Sequence, residues 1–542
     1  MAAAEQGKQV WEASPGAARA PLVYKRREPE KTLLHSVVRE RLETFLGAVR
    51  ERSSTGRGLP SFVEQSLRRY LDCGILAHGF ARVRCADCGF ERLVAFSCKA
   101  HICPSCAARR MEDGAAHLVR NVFPAVAVRQ WVLSFPRRLR FLAAREPRLA
   151  SRLLAIFTGA AFAWQRRKAR KLGVRAPKTG GVTAIQRFGG ALNLNVHLHS
   201  VHPDGVFDLS GSGPPRFIPL AAPSDEEVDG ILRRIIRRSA KVVAACGASA
   251  EDREDALAEL QATEVDRGQR LAIQLPHQRH SATLDGFSLH AGVHLHANDH
   301  EGREKLFRYI LRPPLALQRL SMGEDGRLRY KMKRPRNGAL VLSLTPDELL
   351  AKLATLVPPP RVHGLRYHGL FAPHAKWRSR VVPSAPPAAE AQAHAPPTVS
   401  MASLTFSALP RRQPCSPALP PAGGEAPATT TAAPLPSLPV ESSGVSTASA
   451  GARPALSNKR TYRIPWAELL QKVFAIDVLA CPVCHCRMKL IAFINSASVA
   501  RRILTHLDLP TTGPPLAKAS VPDSDGWDPG PDYEQADPAW DE

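Results

Sequence analysis

Apolar residues return every three or four positions in several segments, which is the spacing of helices that bury one face. SVVRERLETFLGAV and SFVEQSLRRYLD show this spacing near the start of the chain, and EGREKLFRYIL shows it further on. Pro313 and Pro314 follow the last segment, and proline cannot continue a helix. The sequence therefore predicts two early helices and a later one that ends before Pro313.

Strict alternation of apolar and polar residues marks the segment ALNLNVHLHSVHPDGVFDL. Successive side chains of a strand point to opposite faces, so Leu192, Leu194, Val196 and Leu198 share one face. Asn195, His197 and His199 share the other. The pattern predicts a strand that carries two imidazoles side by side. Strand and helix patterns are mixed as far as about Arg380, which predicts an α+β fold.

Composition changes sharply between residues 384 and 458, where proline, alanine, serine and threonine dominate, as in ATTTAAPLPSLP. Such a segment cannot bury enough apolar surface to offset the entropy lost on ordering. It is predicted to be a disordered linker. Further on, residues 523–542 hold eight acidic side chains and no lysine or arginine, which predicts a solvated acidic tail.

The chain as a whole is strongly basic. Lysine and arginine number 74 against 49 acidic residues, a formal net charge of +25 in 542 residues. This balance favours a polyanionic partner, with nucleic acid first and an anionic membrane second. The N-terminus lacks a secretion signal, and the most apolar helical run, 153–164, is too short to span a bilayer. A cytoplasmic protein that binds no membrane is expected.

Nine of the eleven cysteines fall in two groups, which favours metal binding over disulfides in a reducing compartment. In the first group, Cys85 and Cys88 form one C-x2-C pair, and Cys103 and Cys106 form another. Each short turn aims two sulfurs at one point, as tetrahedral zinc requires. These four residues are predicted to bind zinc in a structural role, because a sphere of cysteines leaves no position for water.

Further candidate ligands lie among these pairs. Cys73, His78, Cys98 and His101 could hold a second ion, or Cys98 could replace one member of a single site. The number of ions stays open at this point.

The second group consists of Cys481, Cys484 and Cys486, with His485 between them. It could form a third zinc knuckle or a turn without metal, because no second C-x2-C pair follows it. Cys246 and Cys415 stand alone and are expected to be inert.

Two further patterns suggest chemistry, although neither is specific by itself. A pair of imidazoles such as His197 and His199 can hold a divalent ion and leave positions for water and a phosphate oxygen. A second copy of the motif, at residues 294–296, shows how easily it arises.

Tyr309 lies near the end of the third helix, beside Lys305, Arg308 and Arg312. Cations there favour a bound phosphate and lower the cost of forming a tyrosinate nucleophile. Three aromatic residues elsewhere in the chain are candidates for stacking on bases, and these are Trp164, Tyr330 and Tyr367.

A set of motifs in order resembles the IS91-type transposases, particularly their common-region branch. The motifs lie between about Val37 and Arg380 and are YLDCGILAHGFARVRCADCG, FSCKAHICPSCAARRM, RQWVLSFP, LNLNVHLHSVHPDGVF, FRYILRPPLALQRLS and RYHGLFAPHAKWR. PWAELLQKVFAIDVLACPVC is similar to the C-terminal module of the same family.

The resemblance implies a zinc-binding domain followed by a nuclease domain of the HUH class, named for two histidines that flank a hydrophobic residue. The matching residues are His197, Leu198 and His199, and Tyr309 matches the nucleophile. Lys305 and Pro313 stand where two-tyrosine members would carry a second tyrosine, so the chain resembles a one-tyrosine enzyme. The implied fold is an antiparallel sheet with packed helices.

With the resemblance, the expected organisation of the chain has six parts. They are a flexible N-terminal tail (1–34), a helical, zinc-binding and DNA-binding domain (35–120), a single-strand nuclease domain (121–383), the linker (384–458), a small C-terminal module (459–510) and the acidic tail (511–542).

The expected activity is nicking and joining of single-stranded or hairpin DNA through a 5′-phosphotyrosine in rolling-circle transposition. Mg²⁺ or Mn²⁺ at His197 and His199 would assist, zinc would be structural, and the expected DNA contacts are Asn195, Lys305, Arg308 and Arg312. Two alternatives remain: a non-catalytic zinc-dependent DNA-binding protein, and a metal-dependent hydrolase that uses activated water.

Overall fold

The structure, a computed structural model, describes residues 26–53, 55–211, 213–246, 256–270, 279–336, 339–383, 463–520 and 533–534. The predicted linker, the first 25 residues and most of the acidic tail lie outside these ranges. Among the described residues, no helix combines the length and the apolar character needed to cross a bilayer.

Helices make up much of the described chain. In chain order they are α1 (Leu33–Arg52), α2 (Ser61–Leu71), α3 (Pro104–Asn121), α4 (Arg137–Arg145), α5 (Pro147–Lys171), α6 (Asp225–Cys246), α7 (Ala256–Arg270), α8 (His300–Leu311), α9 (Pro346–Leu356), α10 (Arg378–Val381), α11 (Trp466–Phe474) and α12 (Ala497–His506). The predicted early helices are α1 and α2. The predicted later helix is α8, which ends at Leu311, before the two prolines.

The strands pair antiparallel throughout the described sheets. They are β1 (Phe80–Arg84), β2 (Glu91–Ala95), β3 (Val128–Ser134), β4 (Gly180–Phe188), β5 (Leu194–Pro203), β6 (Gly205–Asp208), β7 (Arg216–Pro219), β8 (Ser281–Leu284), β9 (Phe287–His290), β10 (His294–Leu295), β11 (Leu320–Met322), β12 (Leu328–Arg336), β13 (Ala339–Leu344), β14 (Leu365–Gly369), β15 (Lys489–Ile494) and β16 (Tyr533–Glu534). The α+β fold with an antiparallel sheet and packed helices is confirmed.

The predicted histidine strand is β5, and it occupies the middle of the largest sheet. The strand order of this sheet is β14-β4-β5-β3-β9-β8, and β10 also pairs with β3. Because β4 and β3 flank β5, its backbone hydrogen bonds are satisfied on both edges. A central strand of this kind holds its side chains in fixed positions.

Alternation along β5 divides its side chains between two helical layers. Leu194, Val196 and Leu198 belong to a large apolar core with residues of α4, α5 and α6. On the opposite face, Val201 packs with Phe307 and other residues of α3 and α8. His197 and His199 share the face of Val201, so they lie on the side of the sheet that α3 and α8 cover.

His202 lies on the α5 face of the sheet and is fully buried. Its Nε2 atom is 2.7 Å from the Ser200 hydroxyl, and its ring centroid is 4.8 Å from that of Phe162. Burial, and secondarily the charge of His368, lowers the pKa of His202 to about 3. His202 is therefore neutral in the folded protein at any pH above this value.

We expect this burial to make the protein less stable in mild acid. Below pH 6.5 the unfolded chain binds a proton at His202 that the folded chain rejects until about pH 3, so the free energy of unfolding falls as pH falls. The slope from this residue is about 1.4 kcal/mol per pH unit. Urea unfolding at several pH values between 6.5 and 4.5 should show a smaller slope for His202→Asn. The exposed His363→Asn should keep the wild-type slope, and equal slopes in all three proteins would contradict the assignment.

The described part of the predicted C-terminal module (459–510) pairs with the N-terminal part of the chain. Strand β15 pairs with β1, which gives the sheet order β15-β1-β2. Leu504 of α12 packs with Leu76 and Phe80 in a small apolar core. The C-terminal segment therefore shares a sheet and a buried apolar core with the N-terminal part of the chain.

Of the predicted acidic tail (511–542), the structure describes residues 511–520 and 533–534. Residues 511–520 lie against α1. The Ala517 N–H donates to the Arg39 carbonyl at 3.1 Å, and the Ser520 N–H donates to the Thr44 hydroxyl at 3.0 Å. This stretch contains no acidic side chain. It therefore packs on the body, and the acidic residues begin only after it.

Candidate active site and metal centres

Two histidine side chains project together from the centre of the largest sheet. The ring centroids of His197 and His199 are 4.8 Å apart, and only 9% and 3% of their surfaces are exposed. Each takes its position from the alternation of β5, as the sequence pattern predicted. The pair therefore forms a rigid, nearly dry cluster of nitrogen atoms.

The hydrogen bonds of these rings leave one nitrogen of each available. His197 Nδ1 donates to the Asn195 carbonyl at 2.8 Å, so its Nε2 atom carries the lone pair. His199 Nδ1 lies 2.8 Å from the side-chain amide of Gln130. His199 Nε2 carries the lone pair when the Gln130 amide turns its oxygen to Nδ1 and accepts its hydrogen. His199 Nε2 is buried, and no residue within the described ranges hydrogen-bonds to it. A buried, unpartnered imidazole nitrogen is costly unless a ligand such as a metal ion completes it.

Both imidazoles are held neutral. Burial lowers the pKa of His197 to about 4, and the charges of Arg312 and Arg140 act in the same direction. Burial, with the proximity of His197 and Arg312, also lowers the pKa of His199 well below its ordinary value. Neutral imidazole is the form that binds metal, so the pair is ready to do so at neutral pH.

Tyr309 faces the histidines from α8. Its ring centroid is 5.5 Å from that of His199, and the two rings are nearly perpendicular at 88°. The neighbouring Phe307 and Ile310 are buried in the core between α8 and the sheet, whereas 42% of Tyr309 is exposed. Apolar anchors thus fix the helix and leave the phenol open to an incoming molecule.

Gln186 fastens this helix to the sheet, and sequence patterns gave no sign of it. It lies on β4, directly opposite His197. Its side-chain amide donates to the carbonyls of Tyr309 and Ile310, at 3.1 and 2.8 Å. Its Oε1 atom is buried, with no hydrogen-bond partner among the described residues. One side chain therefore positions the tyrosine and presents an unused oxygen on the histidine face.

Arg312 lies beside the phenol ring of Tyr309. Its guanidinium carbon lies 4.7 Å from the centroid of the Tyr309 ring and 5.4 Å from that of Phe188. Its Nε atom is buried without a hydrogen-bond partner in the described part of the chain. Arg312 can therefore offer charge to an anion at the tyrosine.

The other predicted DNA contacts differ from Arg312. Arg308 is paired with Glu112 and Glu304, at 2.9 Å each, so its charge is already neutralised and it acts as a brace between α8 and α3. Lys305 is exposed and pairs with Glu301 at 2.6 Å. Asn195 is half-buried on the histidine face, and its Oδ1 atom has no hydrogen-bond partner among the described residues.

The predicted stacking residues are mostly buried. Trp164 packs edge-on against Trp131, with ring centroids 5.5 Å apart, and only 4% of Trp164 and of Tyr330 is exposed. Neither can stack on a base, because each belongs to an apolar core. Tyr367 is half-buried in β14.

A cavity of about 400 Å³ opens beside the end of α8. Its walls are mainly apolar and include Phe188, Ile310 and Pro313. Basic side chains also line it, and these are His101, Arg110, Arg187, Arg312 and Arg463. The cavity thus combines apolar walls with positive charge at the end of the helix that carries Tyr309.

Four buried cysteines gather near the start of α3. The Sγ atom of Cys106 lies 3.6 Å from those of Cys73 and Cys98, and the Sγ atoms of Cys103 and Cys73 are 3.6 Å apart. A zinc ion with bonds of about 2.3 Å would place its sulfurs about 3.8 Å apart. The cluster therefore fits one tetrahedral zinc ion.

This grouping corrects two expectations about zinc. Cys85 and Cys88 lie at the tip of the β1/β2 hairpin, away from the start of α3, and their sulfurs group with Cys481 and Cys484. They do not share a site with Cys103 and Cys106. His78 joins neither group, because its ring turns to Asp72, with Nε2 3.3 Å from Oδ1.

Two family models match the chain. Residues 42–135 match the model described as "Transposase zinc-binding domain", and residues 180–379 match the model described as "Putative transposase". The first range contains the four buried cysteines, and the second contains both histidines and Tyr309. No curated protein and no solved structure matches the chain.

Proposed function

Since the chain belongs to the IS91-type transposases, we propose that it cuts one DNA strand by attack of Tyr309 and rejoins it in rolling-circle transposition. The family implies DNA as the partner and strand cleavage and transfer as the reaction. The observation that carries the finer proposal is the 5.5 Å between the ring centroids of Tyr309 and His199. A tyrosine at this distance can share one phosphate with the histidine pair.

A divalent ion fits the histidine face. The ligands we propose are Nε2 of His197 and of His199, with Oε1 of Gln186 as an oxygen donor. This mixture of imidazole and oxygen suits Mn²⁺ or Mg²⁺. When bound, the ion would polarise the scissile phosphate and stabilise the charge that develops on it.

The chain's own residues supply the nucleophile and its placement. The Tyr309 oxygen attacks the phosphorus and the bond from phosphorus to the 3′ oxygen breaks. The phenol loses one proton and the leaving 3′ oxygen gains one, so the step balances. The products are a 5′-phosphotyrosine and a free 3′ hydroxyl, so the energy of the broken bond is kept for rejoining. Arg312 lies beside the ring and offers positive charge to the phosphate.

The remaining expectations about DNA follow from charge and shape. The net charge of +25 favours contacts with phosphates. The cavity at the end of α8 can take an unpaired base against its apolar walls, which favours single-stranded or hairpin DNA as the substrate. We propose that zinc at Cys73, Cys98, Cys103 and Cys106 is structural and holds the start of α3.

The test uses the full chain and a pool of random single-stranded oligonucleotides labelled at the 3′ end. With Mn²⁺ present, we expect the label to become covalently attached to the protein. Peptide mapping of the adduct should place the nucleotide on Tyr309. Cleavage without attached label would instead show a hydrolase that uses water, and retention of DNA without cleavage would show a binding protein.

Gln186 should matter to this reaction through the position of Tyr309 and through the ion. Gln186→Met keeps most of the side-chain volume but removes both the donor that holds two carbonyls of α8 and the oxygen proposed as a ligand of the ion. The expected result is a rate of adduct formation lower by about tenfold, since a loss of about 1.4 kcal/mol in alignment has this effect. Adduct formation is measured over time at saturating oligonucleotide.

Gln165→Met is the matched control for this variant. Gln165 is equally buried, and its amide donates to the Pro203 carbonyl at 2.8 Å, on the α5 side of the sheet. It should lower the melting temperature in a similar way while the adduct rate of the folded protein stays the same. Equal adduct rates in Gln186→Met and Gln165→Met would refute the positioning role.

A further inference from the structure

The first of two similar turns lies between β1 and β2, in the segment CADCGF. The Cys85 N–H donates to the Phe90 carbonyl at 2.8 Å, and the Gly89 N–H donates to the Cys85 carbonyl at 3.2 Å. Gly89 has φ +74°, in the left-handed region. This backbone shape turns Cys85 and Cys88 toward the same point.

The second turn repeats these hydrogen bonds in the segment CPVCHC, before β15. The Cys481 N–H donates to the Cys486 carbonyl at 3.0 Å, and the His485 N–H donates to the Cys481 carbonyl at 3.1 Å. His485 has φ +59°, so it takes the place of the glycine in the first turn. A histidine in this conformation is uncommon, which indicates that the surroundings demand it.

The two turns face each other across the β1/β15 pair. The sulfur of Cys484 is 3.3 Å from that of Cys85 and 3.6 Å from that of Cys88, and the sulfurs of Cys88 and Cys481 are 3.5 Å apart. These distances far exceed a disulfide bond of about 2.05 Å. They lie close to the separation of about 3.8 Å between sulfurs that share one zinc ion.

The surroundings favour a bound metal as well. Val83, Val94, Leu470 and Met488 pack in the apolar core that contains Cys85 and Cys481. Four thiols brought together beside such a core gain little from each other, because the S–H group is a weak donor and acceptor. A zinc ion gives all four a common partner.

We propose that a second zinc ion, bound by Cys85, Cys88, Cys481 and Cys484, clasps the C-terminal segment to the N-terminal zinc-binding region. The site is a two-knuckle zinc centre whose halves lie on either side of the nuclease region and the linker in the sequence. The matched zinc-binding domain ends at residue 135, so it contains only half of these ligands.

The clasp has a consequence for the tyrosine helix. Helix α11 precedes the second turn and packs on α3. From α11, Lys472 pairs with Glu304 at 2.7 Å, and Glu304 also pairs with Arg308, the residue before Tyr309. The zinc ion therefore helps to fix α11, whose Lys472 belongs to this network of ion pairs.

Alkylation of the wild-type chain by iodoacetamide, read by peptide mass spectrometry, tests the site without any substitution. Cys88 and Cys486 are both exposed, yet only Cys88 is proposed to bind zinc. We expect Cys486 to be alkylated at once, and Cys88 and Cys484 only after a chelator is added. Alkylation of Cys88 and Cys484 as fast as Cys486 before chelation would overturn the proposal.

Native mass spectrometry supplies the count of ions. The wild-type chain should carry two zinc ions, and the double variant Cys481→Ser, Cys484→Ser should carry one. Cys486→Ser is the matched control. Its sulfur lies close to Cys484 and Asp87 but is not one of the four that gather at the proposed site, so this variant should keep both ions. A wild-type chain with one ion, or a double variant with two, would contradict the second site.

Discussion

We expect Tyr309→Phe to abolish the covalent link between protein and DNA and to lower cleavage of the labelled oligonucleotide by about 10⁴-fold or more. The substitution removes only the oxygen that is proposed to attack. The ring stays beside His199, and the packing of Phe307 and Ile310 that anchors α8 is unchanged. The measurements are adduct formation on a denaturing gel and zinc content, which should match that of the wild type.

Tyr367→Phe serves as the control for this substitution. Tyr367 is half-buried in β14, at the edge of the same sheet, and loses the same hydroxyl group. It should form the adduct at the wild-type rate. Cleavage that persists in Tyr309→Phe without a protein adduct would assign the reaction to activated water, and the phosphotyrosine proposal would then be wrong.

Local patterns were sufficient to predict the histidine face of β5. Alternation along β5 fixes which side chains share a face, so His197 and His199 could be paired from the sequence alone. The two prolines at 313 and 314 fixed the end of α8. Local patterns could not predict that His197 and His199 lie close to Tyr309, because β5 and α8 are about a hundred residues apart in the sequence. That expectation came from the family resemblance. The catalytic roles of these residues stay predictions.

Gln186 shows the limit of such patterns. A glutamine within a strand carries no motif, and its role depends on which carbonyls the fold brings to it. Arg308 shows the same limit from the other side. Its position beside Tyr309 suggested a phosphate contact, but Glu112 of α3 neutralises it. Charge in a sequence is known, whereas its pairing depends on tertiary contacts.

The cysteines separate what spacing can predict from what topology decides. Each C-x2-C pair announces a knuckle, because the geometry of the turn is local. Which pairs combine is not local. Cys103, just before α3, groups with Cys73, Cys98 and Cys106. Cys85 and Cys88 group with cysteines that lie almost four hundred residues later in the sequence, next to the strand that pairs with β1. Proximity in sequence therefore suggested the wrong partners.

His199→Ala should weaken metal binding and slow the cleavage that depends on it. The buried Nε2 of His199, which lacks a partner among the described residues, is the strongest sign that the face is built for an ion. Without it, binding of Mn²⁺ measured by calorimetry should weaken by at least tenfold. Adduct formation should fall by about 10³-fold, the effect of losing several kcal/mol of charge stabilisation on the phosphate.

The second His-x-His motif gives this prediction a matched control. His294 and His296 have the same ring separation, 4.8 Å, as the proposed pair. However, His294 Nε2 is 3.3 Å from Asp204 Oδ2, and His296 is exposed. His296→Ala should leave metal binding and adduct formation unchanged. If it lowers both as much as His199→Ala does, the ion binds at the other motif, and the tyrosine and its metal do not share one phosphate.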